Sequence, residues 1–307
     1  MDKKSSGLLI SLSFIWALYY IFSQKLVIAV TPFPSGFLIR LLTFFVLMAV
    51  ALVRRHVGEL KPPPFRVMRY LILIGVLGFL LDFTAFLGLK VSSAGGGTIL
   101  LKTDVLMAAI ISAIVFRQRF TLRDIGAIVM MFCGVLLTMD VFSASFSGWG
   151  DIFFLLSALF VTMNAFVIRH VLHLPDIRVT GLTVAFYNNF YVMVLFLVAI
   201  LVGGDLPLLA GFFGDTSHWG IAVAAGLGQS LVYLFYNAAL DRQPVWTVKV
   251  FLLLMPVFTT LIEIGMEYFS TGAVHIPWFR ICGMVLVLLG ALLLLLKKAE
   301  SGAERSQ

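Results

Sequence analysis

The stretch "ILLKTDVLMAAI", residues 99–110, places Lys102 and Asp104 two apart inside an otherwise apolar run. Arg40, Asp82, Lys249 and Glu263 stand in comparable surroundings, which makes three cations and three anions. Such groups can bind a charged solute, carry a proton or neutralise one another. In hydrocarbon each costs about 2.5–3.5 kcal/mol at a helix centre, so they must face water or each other. The even balance argues against a purely basic anion trap and for pairing or a zwitterionic ligand.

Spacing suggests partners. Residues two apart lie on roughly opposite sides of a helix, so Lys102 and Asp104 are not expected to bond each other. Asp82 and Lys102 lie at similar depths on either side of the turn near Lys90–Ser92, which predicts an Asp82–Lys102 bridge. Arg40 then becomes the expected partner of Asp104. In this reading Lys102 is neutralised while Asp104 stays open to a solute or a proton. Asp82 and Asp104 are the proton-coupling candidates, since carboxyls in a desolvated cavity suit that task. Lys249, near one end of its apolar segment, is expected to snorkel to the interface. Glu263 is expected at a vestibule or interface.

Polar and aromatic residues add binding capacity. "AFYNNFYV", residues 185–192, contributes Tyr187 and Asn188, and Asn164 adds another amide. Gln229, Tyr233 and Asn237 recur every four residues and so form one helical stripe, which must face protein or water. Trp16, beside Tyr19 and Tyr20, can stack on a ligand. Helix packing is the competing role for all of these. Pro256 removes a backbone hydrogen bond and predicts a kink. Gly96, with Gly95 and Gly97, provides either close packing or a hinge.

The elements that must position these residues follow from composition. Of 307 residues, 61% are hydrophobic and 12% charged, far below the quarter charged that is usual in soluble domains. Lipid must therefore be the solvent. Apolar windows predict ten spans near 7–27, 34–53, 70–89, 94–116, 124–143, 150–171, 181–202, 219–240, 245–268 and 278–296. Backbone polar groups must be satisfied inside the bilayer, so the spans are helices, and the fold class is an all-α membrane protein. Sixteen Lys and Arg fall on one side of the predicted spans against Lys25, Lys90 and Arg280 on the other, which puts both termini in the cytoplasm. Five spans per half make the halves inverted repeats, here 1–147 and 148–298, followed by a tail at 299–307. The helix–loop–helix layout of residues 83–110 matches that of 233–260.

"FIWALYYIFSQK", Arg40 in "FLIRLLTFF", "LLKTDVLMAAIISAIVFRQRFTLRDIGAIVMMFCGVLL", "AALDRQPVWTVKVFLLLMPVF" and "RICGMVLVLLGALLLL" together resemble the ten-helix, EamA-type branch of the drug/metabolite transporter superfamily. The chain departs from that pattern at three places. Ala17 follows Trp16 where glycine is usual, Val105 replaces a proline, and Arg117-Gln118 replaces Gly-Glu. The resemblance implies a substrate carrier with a central cavity between two repeats, working by alternating access, with export the usual role. "FYNN" also resembles a motif of nucleotide-sugar carriers, but their helix-9 Asn-Lys motif is missing.

Other chemistries lack their signatures. There is no GxxxxGK[ST] loop, no HExxH among His56, His170, His173, His218 and His275, and no GxSxG elbow. Cys133 and Cys282 form no CxxC pair. No enzyme activity, metal or cofactor is expected. The net charge of +7 is spread over short loops, so no nucleic acid partner is expected. The expected partners are a small-molecule substrate and the lipid bilayer of the inner or plasma membrane, with the protein a monomer or homodimer. The expected cargo is a small, polar or amphipathic, amino-acid-like metabolite, moved by secondary transport for which Asp82 and Asp104 are the proton-coupling candidates. A lipid flippase, a non-transporting scaffold, and a nucleotide-sugar or organic phosphate carrier are the alternatives.

Overall fold

The computed structural model describes residues 3–91, 94–142, 144, 148–214, 216–271 and 276–304. These residues form helices and no strand, as expected where every backbone polar group must be satisfied within its own segment. The helices are α1 (Lys3–Val30), α2 (Pro32–Val53), α3 (Phe65–Val91), α4 (Ala94–Leu101), α5 (Asp104–Ile114), α6 (Leu122–Thr138), α7 (Trp149–Leu172), α8 (Gly181–Gly203), α9 (Leu206–Gly214), α10 (Trp219–Arg242), α11 (Val245–Phe251), α12 (Met255–Thr271) and α13 (Trp278–Glu304). Eight segments among the described residues are long and apolar enough to cross a membrane: α1, α2, α3, α7, α8, α10, the α11–α12 run and α13.

The expected continuous span at 94–116 is broken. α4 ends at Leu101, and Lys102 and Thr103 form a tight turn before α5. At the break the hydrogen bonds shorten from i→i−4 to i→i−3: the Lys102 and Thr103 N–H groups donate to Ile99 and Leu100 at 3.0 Å, and Thr103 Oγ1 also donates to Leu100. The span at 245–268 tightens likewise, into a 3₁₀ turn at Leu252–Leu254. Pro256, expected to kink mid-helix, is the second residue of α12, where its missing N–H costs no internal bond.

The chain divides into two compact units. One comprises residues 1–17, 84–162 and 242–307, and the other 18–83 and 163–241. Each draws helices from both halves of the sequence.

In the first unit α6 packs along α13, and at Gly134 and Gly283 backbone meets backbone. A Cβ on Gly134 would stand 2.7 Å from the Gly283 carbonyl oxygen, and one on Gly283 would stand 2.6 Å from that of Gly134. Such closeness needs glycine at both positions. The same unit seats the Phe154 ring against Gly97 and Gly88, where added Cβ atoms would lie 2.1 and 2.8 Å from it. Gly97 therefore serves packing. Gly96 lies in the first turn of α4, with its surroundings outside the described residues.

In the second unit α2 packs on α8, with Gly36 against the Phe196 ring, and α2 also meets α10, where Thr43 donates to the Gly226 carbonyl at 3.1 Å. A one-turn 3₁₀ segment at Val57–Leu60 closes over the start of α8. Thr180 donates to the Glu59 carboxylate, Thr183 to the Glu59 carbonyl at 3.0 Å, and Tyr187 to the Leu60 carbonyl at 3.0 Å.

Candidate functional site

In the first unit the broken span α4–α5 meets the α11–α12 run beside its 3₁₀ tightening. Lys249, on α11, is only 1% exposed, so the expected snorkelling does not occur. Its ammonium instead donates to Asp104 Oδ2 at 2.8 Å, at the first turn of α5. All of Val245–Phe251 is buried, so Lys249 has no route to an interface and needs a carboxylate within reach. Lys102, in the break itself, donates to Met255 Sδ at 3.7 Å, across to the start of α12. A thioether is a weak acceptor. No carboxylate lies within ion-pair distance of Lys102 among the described residues. Two other helices hold the breaks in place. Ser13 of α1 donates to the Phe251 carbonyl at 2.9 Å, and Thr162 of α7 donates to the Asp104 carbonyl at 3.1 Å. Trp16, partly buried, stands one turn beyond Ser13 on α1.

In the second unit a separate cluster forms around Arg40. Its guanidinium donates to Asp82 Oδ2 at 2.8 Å and to the Tyr233 hydroxyl, and it lies 5.4 Å from the centre of the Tyr233 ring. Gln229, one turn before Tyr233 on α10, hydrogen-bonds the same phenol, and Tyr19 of α1 is within electrostatic reach of Arg40, Asp82 and Tyr233. Asn189 donates to the Arg40 carbonyl at 2.8 Å and fixes the backbone beneath the guanidinium. The ion pair neutralises two charges whose desolvation in isolation would be prohibitive.

The expected partners are thus exchanged. Asp82 pairs with Arg40 in place of Lys102, and Asp104 with Lys249 in place of Arg40. Depth along one helical hairpin suggested the first arrangement, but adjacency between helices decides the pairing. Several polar candidates spend their donors on backbone: Asn164 on the Ile74 carbonyl at 2.6 Å, Asn237 on that of Gly181 at 2.8 Å, and Tyr187 on the Leu60 loop. Asn188 is buried beside Gly78, and its Oδ1 has no hydrogen-bond partner among the described residues. Lys249 is the residue that sequence reasoning set aside. Its signal was the proline seven residues later, which marks a disturbed helix. Glu263 lies on α12, in a crevice shared with Glu267 and Arg280. His275 lies outside the described residues, and among those described no group of three or more His, Cys, Asp or Glu could hold a metal ion.

The EamA-like transporter family matches residues 4–140 and 148–296, once for each half. The chain belongs to this family. It is also 27% identical, over 228 residues, to the uncharacterized transporter YyaM of Bacillus subtilis (strain 168), across 72% of this chain and 70% of that protein. A solved structure described only as a crystal structure of a protein superposes with a TM-score of 0.78, over 96% of this chain and 97% of that one. At 16% identity that likeness shows the fold alone. An EamA-like chain with eight apolar helices is an integral, multi-pass membrane protein with a transporter's role.

Proposed function

We propose that this EamA-like protein is a secondary transporter that exports a small polar or amphipathic metabolite across the cytoplasmic membrane by alternating access. The full topology in this reading is ten spans with both termini cytoplasmic. α4 with α5 counts as one broken span and α6 as another, which brings the eight long apolar segments to ten. The observation that carries the proposal is the meeting of the interrupted span α4–α5 with the 3₁₀-tightened α11–α12 run at Lys102, Asp104 and Lys249. Interrupted helices are tolerated at membrane depth where they are buried in protein or line a solute path, and they supply free helix ends and side chains at that depth. A scaffold would gain nothing from two buried ammonium groups beside one carboxylate.

Proton coupling belongs to the same proposal. Protonation of Asp104 would release Lys249, and protonation of Asp82 would release Arg40, so each pair can exist in a closed and an opened form. The test is flux from liposomes holding the purified protein and a mixture of labelled metabolites. The expected result is protein-dependent release of a subset of solutes, with its pH dependence lost in Asp104→Asn. Release no faster than from protein-free vesicles, for every solute, would overturn the proposal. Protein-dependent movement of fluorescent lipid without solute release would replace it with a flippase.

A further inference from the structure

We infer that the solute is an organic anion whose carboxylate docks on Lys102. This inference rests on the transporter reading and narrows it. The charges at the helix breaks do not balance: Lys102 and Lys249 are two cations, Asp104 is one anion, and that anion is already held by Lys249 at 2.8 Å. Lys102 meets a thioether at 3.7 Å, which offers little to a desolvated ammonium. On formal charges the cluster is therefore short of one negative charge; Asp104 acts on Lys102 only through space, and Lys102 is the cation with no carboxylate in ion-pair reach among the described residues.

The sign is reinforced by local backbone. Lys102 lies one residue before Thr103, the N-cap of α5, whose N-terminal end carries partial positive charge, although Asp104 in its first turn offsets part of this. An interrupted span that presents a half-helix N-terminus to an anionic solute group is a recurrent arrangement in carriers. A zwitterion fits less well than an anion. Its ammonium would need an open carboxylate, and Asp104 is occupied by Lys249, just as Asp82 is by Arg40 in the other unit. A phosphate fits less well too, because it brings more than one charge and favours a guanidinium fork. A single ammonium matches a single carboxylate.

The experiment uses the full-length purified protein and two series with matched skeletons: 3-phenylpropionate, phenylalanine and phenethylamine, then 4-methylpentanoate, leucine and isoamylamine, with inorganic phosphate as a further arm. Thermal stabilisation and equilibrium binding are read together. The expected result is stabilisation by the acids above the amino acids, none by the amines or phosphate, and acid affinity weakened roughly 10- to 100-fold in Lys102→Gln but kept in Lys102→Arg. Lys102→Met serves if the Gln variant does not fold, and the wild-type charge series decides even without a variant. Equal or better binding of amino acids, amines or phosphate, binding of acids that survives loss of Lys102, or no acid response at all would overturn the inference. Metabolite flux in liposomes separates the two levels. Flux without acid binding refutes the anion and keeps the carrier, whereas no flux of any solute refutes the carrier itself.

Discussion

Lys249 and Asp104 show what a buried ion pair demands of its neighbours. Removing one partner leaves an uncompensated charge, which costs about 3–5 kcal/mol, whereas replacing both with apolar residues is often neutral or better. Lys249→Met is therefore expected to lower the melting temperature of the purified protein sharply, and Lys249→Met combined with Asp104→Leu to restore most of it. Additive losses in the double variant would show that the two residues act independently. The identities of the six intramembrane charges were legible from sequence, because a charge in an apolar run cannot be hidden. Their pairing was not legible. Lys102 and Asp82 were expected at matching depths on one hairpin, yet they fall in different compact units, and Asp82 finds its partner, Arg40, within its own. Lys249 looked able to snorkel because of its distance from a segment end, but all of Val245–Phe251 turned out to be enclosed.

At the scale of elements, the family's usual proline at position 105 is valine here, so no local signal announced the break between α4 and α5. Lys102 and Thr103 break the span without proline or glycine. The second break was half legible, since Pro256 is visible in sequence, although it sits in the first turn of α12 and not in mid-helix. Arg117 tells the opposite story. It occupies a position where the family usually has glycine, and its φ of 48° is in the left-handed region that glycine tolerates best. Arg117→Gly is expected to stabilise the protein by about 1 kcal/mol, read as a higher melting temperature. An unchanged or lower value would show that the arginine side chain contributes more than its backbone costs. Gly97→Ala is expected to do the reverse, because its Cβ would stand 2.1 Å from the Phe154 ring. Melting should fall markedly, and a second change, Phe154→Leu, should recover part of the loss. No recovery would mean that α4 is positioned by something other than Phe154.

At the scale of the whole molecule, the multi-pass helical class was legible because 61% hydrophobic residues leave no soluble alternative. The division into compact units was not. Sequence repeats cut the chain in the middle, whereas the units interleave segments from both halves, and the division passes through α1 after Ala17, α3 after Phe83 and α7 after Thr162. Contacts between residues far apart in sequence create that division, and no local pattern encodes them. In the carrier reading, solute reaches the meeting of α4–α5 with the α11–α12 run from the aqueous phases. Thr103, between Lys102 and Asp104, is partly buried and belongs to neither ion pair. The most direct measurement is labelling of Thr103→Cys, with Cys133 and Cys282 replaced by alanine, in liposomes of known protein orientation. A membrane-impermeant maleimide should reach the new cysteine from each side of the membrane as the carrier cycles. A cysteine that stays unreactive from both sides, in a protein that otherwise folds, would show that solute does not reach this site.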